Sequence, residues 1–172
     1  STKVSFRQLN AATDTKKDLQ IVAEEAKMSG SVILLLDEIH RLDKTKQDFL
    51  LPHLENGRII LVGATTENPY ISINPAIRSR TQIFELKPLS PEDIIKALVN
   101  AIEDEERGLG KLNLKVTEEA LNHFANSTNG DVRSALNALE LAAKSTESSE
   151  DGEIHITIQI AEECIQRKAL SY

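Results

Sequence analysis

The sequence predicts an α/β domain built on a parallel sheet, followed by a small helical domain. Two apolar runs, residues 32–36 and residues 58–64, are typical of strands buried inside a parallel sheet. Helical patterns lie before and between these runs, and strands that alternate with helices imply right-handed crossovers and a three-layer sheet. Beyond Leu89 the apolar residues recur at helical spacing, which predicts two domains, residues 1–89 and residues 90–172.

Each element of the first domain is predicted from a local pattern. Residues 4–9 alternate in polarity as a strand does, and residues 14–28 place apolar and small side chains at helical spacing. Residues 45–55 predict a second helix, with a kink at Pro52 because proline removes one backbone hydrogen bond. Residues 81–86 predict one further, shorter strand.

The second domain begins with the signals of a helix start. Ser90 is a capping residue, a proline follows at the first helical position, and acids occupy the first turn. Thr117 and Asp131 mark the starts of two further helices. The polar residues 145–152 predict a mobile loop, and residues 156–168 predict a last helix that closes the bundle.

Composition excludes several classes of protein. The 172 residues include a single cysteine, so an internal disulfide framework is excluded and a reducing compartment is the simplest assignment. No apolar run approaches the ~20 residues that a membrane helix needs. Aromatic residues make up 3% of the chain and tryptophan is absent, which disfavours the base-stacking surfaces of single-strand binders.

Charge is distributed unevenly along the chain. The net charge is −7, of which residues 1–91 contribute +1 and residues 92–172 contribute −8. Phosphate binding needs clustered lysine and arginine, so the acidic second half is a poor surface for nucleic acid. Any contact with DNA is therefore expected from the first half, from the assembly of several chains, or from segments outside this chain.

An acid pair, Asp37 and Glu38, directly follows the most apolar predicted strand. Ligands of open α/β sheets bind at the carboxyl ends of strands, where a carboxylate can hold Mg²⁺ beside nucleotide phosphates, directly or through water. The adjacent Glu38 points elsewhere and can polarise an attacking water. Taken alone, the same residues also fit a strand that runs into an acidic loop.

Polar side chains also follow the next apolar strand. Thr65, Thr66 and Asn68 each offer a hydroxyl or an amide that can orient the same water or contact a γ-phosphate. Without the neighbouring motifs, this segment is better explained as a boundary between a strand and a turn.

Arginines stand before the last strand predicted for the first domain and at one helix start of the second. Arg78 and Arg80 can reach across a subunit interface to stabilise charge on a transferred phosphoryl group, or they can be solvated surface residues. Arg133 lies in the first turn of its helix, on the face away from the apolar stripe. There it can pair with a phosphate, whereas helix capping alone accounts for the preceding Asp131.

The order and spacing of these motifs resemble those of the AAA+ ATPases, in which they are named Walker B, sensor 1, arginine finger and sensor 2. The strings DEIHRLDK, GATTENP, NPAIRSR and GDVRSALNALE are most similar to the replication-associated recombination ATPases. That family is also called maintenance of genome stability protein A, and its eukaryotic relative is the Werner-helicase-interacting protein. The resemblance covers residues 6–172, is most specific over residues 37–80, and implies a P-loop NTPase fold with a helical lid.

The resemblance implies roles for the matching residues. Asp37 would hold Mg²⁺, directly or through water, and Glu38 would be the catalytic base. Arg133 would be sensor 2. Asn10 matches a polar residue that in related ATPases can hold the catalytic glutamate away from its working position.

Two of the implied roles have more than one candidate. Thr65 would be sensor 1, with Thr66 and Asn68 as the alternatives. Arg80 would be the arginine finger, with Arg78 as the second choice.

The resemblance also implies cofactors and partners. ATP and Mg²⁺ would be the cofactors, and the protein would form a ring-like homo-oligomer on DNA at stalled replication forks. Single-strand-binding protein would be a further partner, and no membrane would be involved. The expected location is the bacterial cytoplasm, at the nucleoid. Members of this family resemble clamp-loader subunits and the Holliday-junction branch-migration motor.

One departure from the family is the phosphate-binding loop, because no G-x-x-x-x-G-K-[ST] pattern occurs in the sequence. Residues 108–111 look similar, but Glu105 stands where the first glycine belongs and Leu112 where Ser or Thr belongs. In the family this loop and its strand precede the segment that starts here. We therefore expect a central fragment that neither binds ATP tightly nor hydrolyses it alone. Its sheet would expose apolar surface, so the fragment is expected to dimerise or to swap segments.

Two functions remain open at this point. In the first, the parent protein is an ATP-driven DNA-repair motor that needs Glu38 for hydrolysis. In the second, it is a non-hydrolysing subunit of clamp-loader or scaffold type, or a relative of the branch-migration motor, which supplies Arg80 or a protein-binding surface to a neighbour. The intact pair of Asp37 and Glu38 favours the first, because a subunit without hydrolysis has no chemical need for both acids.

Overall fold

A three-stranded parallel sheet organises the first half of the chain, as the alternation of strands and helices predicts. Its strands are β1 (Ser5–Asn10), β2 (Val32–Asp37) and β3 (Ile59–Gly63). They are hydrogen-bonded in the order β1-β2-β3, and the register pairs Asn10 with Asp37 and Leu36 with Gly63. The carboxyl ends of all three strands therefore lie side by side at one edge of the sheet.

The computed structural model describes residues 4–171. These residues form two compact units, which adjoin in sequence at Glu85 and Leu86. Over this range, none of the helices is long and apolar enough to cross a membrane.

Two helices cover one face of the sheet. Helix α1 (Lys16–Ser29) starts after Thr15, whose backbone amide and hydroxyl both donate to the Asp18 carboxylate. Helix α2 (Lys44–Glu55) starts after Asp43, whose side chain caps the first turn. The helices pack against each other and against the strands. Helices and strands share one core, formed by Leu19, Val22, Ala23, Ala26, Leu50, Val32, Leu34, Leu36 and Ile59.

The other face of the sheet is open within the described residues. Phe6, Ile60 and Val62 lie there, and the last two are each 48% exposed. The prediction that residues 58–64 form a fully buried strand is therefore wrong, because β3 has one buried and one exposed face. The α/β class with parallel strands is confirmed, and residues 4–171 form two of the three expected layers.

Two short helices and an irregular segment follow β3. The helices are α3 (Pro69–Ser72) and α4 (Pro75–Arg78). Each has an asparagine cap and a proline at its first position. The strand predicted for residues 81–86 is not formed, and Phe84 and Leu86 are 77% and 92% exposed. A strand needs a hydrogen-bonded neighbour, and no part of residues 4–171 pairs with this segment.

The second unit is mainly helical, as predicted. Its elements are α5 (Pro91–Glu103), β4 (Leu114–Val116), α6 (Glu118–Asn126), α7 (Val132–Ser145), β5 (Ile154–Ile156) and α8 (Ile158–Leu170). Ser90, Thr117 and Asp131 accept first-turn amide hydrogens of α5, α6 and α7, which confirms the three predicted helix starts. The helices enclose a separate core that includes Ile94, Leu98, Ala120, Phe124, Ala135, Leu139, Ile156 and Ala161.

The pairing of β4 with β5 is a feature that the sequence pattern does not predict. The two strands are parallel, and their register joins Leu114 to Ile154. Because Ile156 belongs to β5 and is fully buried there, the last helix begins at Ile158 and not at residue 156. Residues 146–153 connect α7 to β5 without helix or strand. Strands of three residues are too short to show a periodicity.

Candidate functional site

Backbone hydrogen bonds tie the three strand ends into one edge. The Ala11 amide donates to the Asp37 carbonyl at 2.9 Å, and the Ile39 amide donates to the Ala64 carbonyl at 3.0 Å. Gly63 allows this approach, because a Cβ added there would lie 2.7 Å from the Ile39 Cδ1 atom. The turns after β1, β2 and β3 are therefore held next to one another.

The acid pair stands where β2 ends. Asp37 is the last residue of the strand, and the side chains of Asp37 and Glu38 are both exposed. One Asp37 carboxylate oxygen accepts the Glu38 amide hydrogen at 2.9 Å. Glu38 has φ 51° and ψ 44°, a left-handed conformation that is uncommon outside glycine. Conformations of this kind cluster at functional sites.

A contact that sequence reasoning missed joins the turns after β2 and β3. His40 lies in the 3₁₀ turn Ile39–Arg41, and its Nδ1 atom is 2.8 Å from the Oγ1 atom of Thr65. Its Nε2 atom is 3.8 Å from a carboxylate oxygen of Glu67. The available signal is that His40 follows Glu38 by two residues. That spacing places His40 on the turn after β2 but gives no sign of its contact with Thr65, which is 25 residues away.

Of the three sensor candidates, Thr65 is the one bound to the acid-pair turn. Its hydroxyl oxygen also accepts the Glu67 amide hydrogen at 3.0 Å. The Asn68 side chain caps α3 by accepting the Tyr70 amide hydrogen at 3.0 Å. Thr66 is exposed. The structure therefore joins Thr65 to His40 on the turn that follows the acid pair and gives Asn68 a local role in the turn after β3.

The two arginines of the first unit have different surroundings. Arg78 donates from Nη1 to the Tyr70 carbonyl at 2.8 Å, and its guanidinium carbon lies 5.5 Å from the centre of the Tyr70 ring. Arg80 donates from Nη1 to the Ala76 carbonyl at 2.7 Å and forms a 2.6 Å ion pair with Glu55. The guanidinium of Arg78 therefore contacts a backbone carbonyl and the Tyr70 ring. The guanidinium of Arg80 binds a backbone carbonyl and the Glu55 carboxylate.

Asn10 lies at the end of β1, directly opposite Asp37 in the register. Its side-chain oxygen accepts the Ala12 amide hydrogen at 2.8 Å, and its own amide donates to the Asp14 carboxylate at 2.6 Å. The structure places Asn10 beside the acid pair and uses its side-chain oxygen to shape the turn that follows β1.

Arg133 lies in the second unit, in the first turn of α7. Its side chain is exposed, and its amide donates to the Asp131 carboxylate at 3.0 Å. The Ser134 hydroxyl, followed by the first-turn amides, holds the pKa of Asp131 below its usual value. The capped turn therefore fixes the backbone of Arg133, and within residues 4–171 its guanidinium has no ion-pair partner.

The glycine-rich residues 108–111 form a turn against α5 and do not form a phosphate cradle. The Leu109 amide donates to the Ala101 carbonyl at 2.7 Å, and the Gly110 amide donates to the Asp104 carbonyl at 2.9 Å. A Cβ added at Gly108 would lie 2.4 Å from the Ala101 carbonyl oxygen. The glycines are needed for close packing, and their amides are not available to a phosphate.

The strand-end residues fit a magnesium ion better than they fit a nucleotide. The carboxylate of Asp37 is a hard oxygen donor, which Mg²⁺ prefers and to which it binds with retained waters. A phosphate group needs converging amides or cations. The described residues offer only part of such a site.

The parallel sheet, the acid pair, the hydroxyl on the next strand end and the following arginines stand in the order that is typical of the AAA class of ATPases. Residues 2–89 match the family described as "ATPase family associated with various cellular activities (AAA)", and residues 110–172 match the AAA C-terminal domain. The chain therefore belongs to the AAA ATPase family.

Several relatives within this family are similar to the chain over most of its length, and the bacterial ones among them share a name. Replication-associated recombination protein A of Bacillus subtilis (strain 168) is 66% identical over 172 residues, which cover 100% of this chain and 41% of that protein. The protein of the same name in Escherichia coli (strain K12) is 40% identical over 149 residues, covering 84% and 33%. ATPase WRNIP1 of Dictyostelium discoideum is 35% identical over 150 residues, covering 85% and 17%. The chain thus spans less than half the length of these curated relatives.

A solved structure supports the fold. The Thermotoga maritima RuvB Holliday junction branch migration motor matches with a TM-score of 0.73 and 19% sequence identity, over 95% of this chain and 53% of that chain. At this identity the likeness shows the fold alone. It confirms the AAA+ fold class that the sequence motifs imply.

Proposed function

We propose that this chain carries the hydrolytic strand edge and the helical lid of an AAA+ ATPase motor for replication-fork rescue, recombination and repair of DNA. One observation carries the proposal: the turn bearing Asp37 and Glu38 meets Thr65 at neighbouring strand ends. Membership of the ATPase family supports the chemistry. The name shared by the bacterial relatives supports the process.

In this proposal the two acids have separate roles. Asp37 holds Mg²⁺, directly or through water, and a bound ion supplies charge neutralisation at the phosphates. Glu38 accepts a proton from the attacking water as general base. Strand β2 stops at Asp37, and Glu38 follows it in a left-handed conformation. This difference in backbone supports different roles for the two neighbouring carboxylates.

Arg80 is the proposed arginine finger, and Arg133 is the proposed sensor of the lid. Arg80 is paired with the carboxylate of Glu55, and a phosphate competes directly with a carboxylate for the same guanidinium. Arg78 is the weaker candidate, because two backbone carbonyls and the Tyr70 ring hold it within its own chain.

Hydrolysis in this proposal needs a phosphate-binding loop that the sequence does not contain. The occupied amides around Gly110 remove the remaining glycine-rich candidate. We therefore expect the chain alone to bind Mg-ATP weakly and to leave it unhydrolysed. The 41% coverage of the Bacillus subtilis relative supports the view that further segments complete the ATPase.

The proposed partners follow from the same relatives. The complete protein would act as a ring-like homo-oligomer on DNA at stalled forks, together with single-strand-binding protein, in the cytoplasm at the nucleoid. The name shared by the bacterial relatives, which refers to replication and recombination, supports work on DNA. Residues 92–172 carry a net charge of −8, which is unfavourable for binding phosphates. DNA is therefore expected to contact other surfaces of the assembly.

The deciding experiment is Glu38→Gln in a longer chain that also carries a phosphate-binding loop. ATP turnover should fall by at least ~100-fold while Mg-ATP binding, measured by calorimetry, is retained. Glu147→Gln is the matched control, because Glu147 is exposed in the connection between α7 and β5, and it should change neither quantity. Unchanged turnover in Glu38→Gln would contradict the proposal and favour a non-hydrolysing subunit.

A further inference from the structure

We propose that His40 is a positioning residue that turns the Thr65 hydroxyl into a hydrogen-bond acceptor toward the site, so that Thr65 orients the attacking water and does not donate to the γ-phosphate. The inference rests on the proposed function and takes Thr65 as the sensor 1 residue that the family resemblance implies. It decides between the two roles that a hydroxyl at this strand end can take.

The Thr65 hydroxyl has one proton to donate and two lone pairs with which to accept. One lone pair receives the Glu67 amide hydrogen, since that nitrogen lies 3.0 Å from Oγ1. An amide N–H can only donate, so this contact has a fixed direction. The second contact, 2.8 Å to His40 Nδ1, takes its direction from the protonation of the ring.

Glu67 selects the tautomer of His40. Its carboxylate oxygen is 3.8 Å from Nε2, a distance at which a negative charge favours the proton on that nitrogen, directly or through water. The other charged side chains on this turn and at the strand end before it are Asp37, Glu38 and Arg41. In the described part of the chain, Glu67 is the carboxylate within 4.0 Å of the ring. A neutral ring with its proton on Nε2 has a bare Nδ1 that accepts.

This tautomer fixes what Thr65 offers to the site. With Nδ1 as acceptor, the Thr65 proton is committed to His40 and one oxygen lone pair remains free. A water molecule can donate to that lone pair, whereas a phosphate oxygen has no hydrogen to give. The His40 side chain is only 12% exposed, so solvent competes weakly for its contact with Thr65.

The tautomer can be measured in this chain by ¹⁵N NMR of the imidazole ring at about pH 8.5, where ordinary histidines are neutral. We expect a ring protonated on Nε2, and Thr65→Val should move the His40 Nδ1 resonance toward its value without a hydrogen bond. Glu67→Gln should raise the population protonated on Nδ1. The matched control is Glu153→Gln, which removes the carboxylate 3.2 Å from His155 Nε2 and should leave the His40 spectrum unchanged. A His40 ring protonated on Nδ1, or one unaffected by Thr65→Val, overturns the proposal.

Kinetics in a longer chain with a phosphate-binding loop test the consequence. His40→Ala and Thr65→Val should each lower kcat on the order of 10-fold or more with KM for ATP unchanged. The double variant should be no worse than Thr65→Val, because His40 acts through Thr65. His40→Asn, whose amide oxygen can accept in place of Nδ1, should restore part of kcat.

Two outcomes separate this inference from the proposed function. In a Glu38→Gln background, where hydrolysis is blocked, Thr65→Val should leave the ratio of the Kd values for ATP and ADP unchanged. A selective loss of ATP affinity overturns the water-orienting role, since it is the signature of a hydroxyl that donates to the γ-phosphate. An unchanged kcat in Thr65→Val also overturns it, whereas Glu38→Gln alone decides whether the protein hydrolyses ATP at all.

Discussion

Replacement of Gly130 tests how the second unit fixes the start of the helix that carries Arg133. Gly130 has φ +78°, and a Cβ added there would lie 2.5 Å from the Pro88 Cβ and 3.0 Å from the backbone N and O of Leu89. The Leu89 amide also donates to the Gly130 carbonyl at 3.2 Å. An alanine at this position therefore meets two separate penalties, one conformational and one steric.

The magnitude follows from these two contributions. A left-handed backbone costs an L-residue about 1–2 kcal/mol, and overpacking costs about 1–3 kcal/mol. Alanine also restricts the unfolded chain more than glycine does, which offsets about 0.4–1 kcal/mol of the loss. Gly130→Ala is therefore expected to lower the free energy of unfolding by about 1–4.6 kcal/mol.

Gly152 supplies the matched control in the same unit. Its φ is +82°, nearly that of Gly130, but an added Cβ would meet no atom within 4 Å. Gly152→Ala should therefore show the conformational penalty alone, a loss of at most about 1.5 kcal/mol. Urea unfolding followed by circular dichroism measures both variants. Equal losses would refute the reasoning, because the difference between the two isolates the contact with Pro88 and Leu89.

Two further predictions concern ionisable groups of the second unit. Hydrogen bonds from Ser134 and the first-turn amides lower the pKa of Asp131, so its stabilisation is present at neutral pH and is lost as the pH falls through the lowered pKa. Asp131→Asn keeps a capping oxygen and should lose part of this acid dependence in urea unfolding. Asp131→Ala removes the cap and should lower the free energy of unfolding by about 1 kcal/mol at neutral pH. An unaltered acid dependence in the asparagine variant would count against Asp131 as its source. Burial raises the pKa of the Cys164 thiol, so an aromatic disulfide reagent should modify the folded chain far more slowly than the urea-unfolded chain. Equal modification rates would contradict the buried position of Cys164.

The sequence predicts those parts of the fold whose signals are local. The cap residues Ser90, Thr117 and Asp131 predict their helices, because a capping side chain binds amides only two or three residues away. The errors concern elements that depend on a distant partner. Residues 81–86 have the apolar content of a strand but no neighbour to pair with in the described chain, and β4 exists only because β5 lies beside it.

Residues of the candidate site divide in the same way, into those with a local signal in the sequence and those that depend on a distant partner. Asp37 and Thr65 can be found from sequence because each follows an apolar strand, and parallel strands bring their carboxyl ends to one edge. Asn10 is indicated by the family resemblance alone. His40 escapes this reasoning, because its partner Thr65 is 25 residues away and the contact depends on the register of β2 with β3. The choice between Arg78 and Arg80 also needs the structure, since the two differ in their contacts and not in their local sequence.

The backbone at Glu38 favours one of the two explanations of the acid pair that the sequence leaves open. In an acidic loop with no chemical role, the residue at φ 51° would be satisfied best by glycine, or by asparagine, which tolerates this conformation. A glutamate held there costs about 1–2 kcal/mol relative to those choices. The backbone on either side is fixed, because the Ile39 amide is bonded to the Ala64 carbonyl and the Ala11 amide to the Asp37 carbonyl. A strained glutamate in a firmly held turn is better explained by a need for its carboxylate at the strand edge than by the requirements of the turn itself.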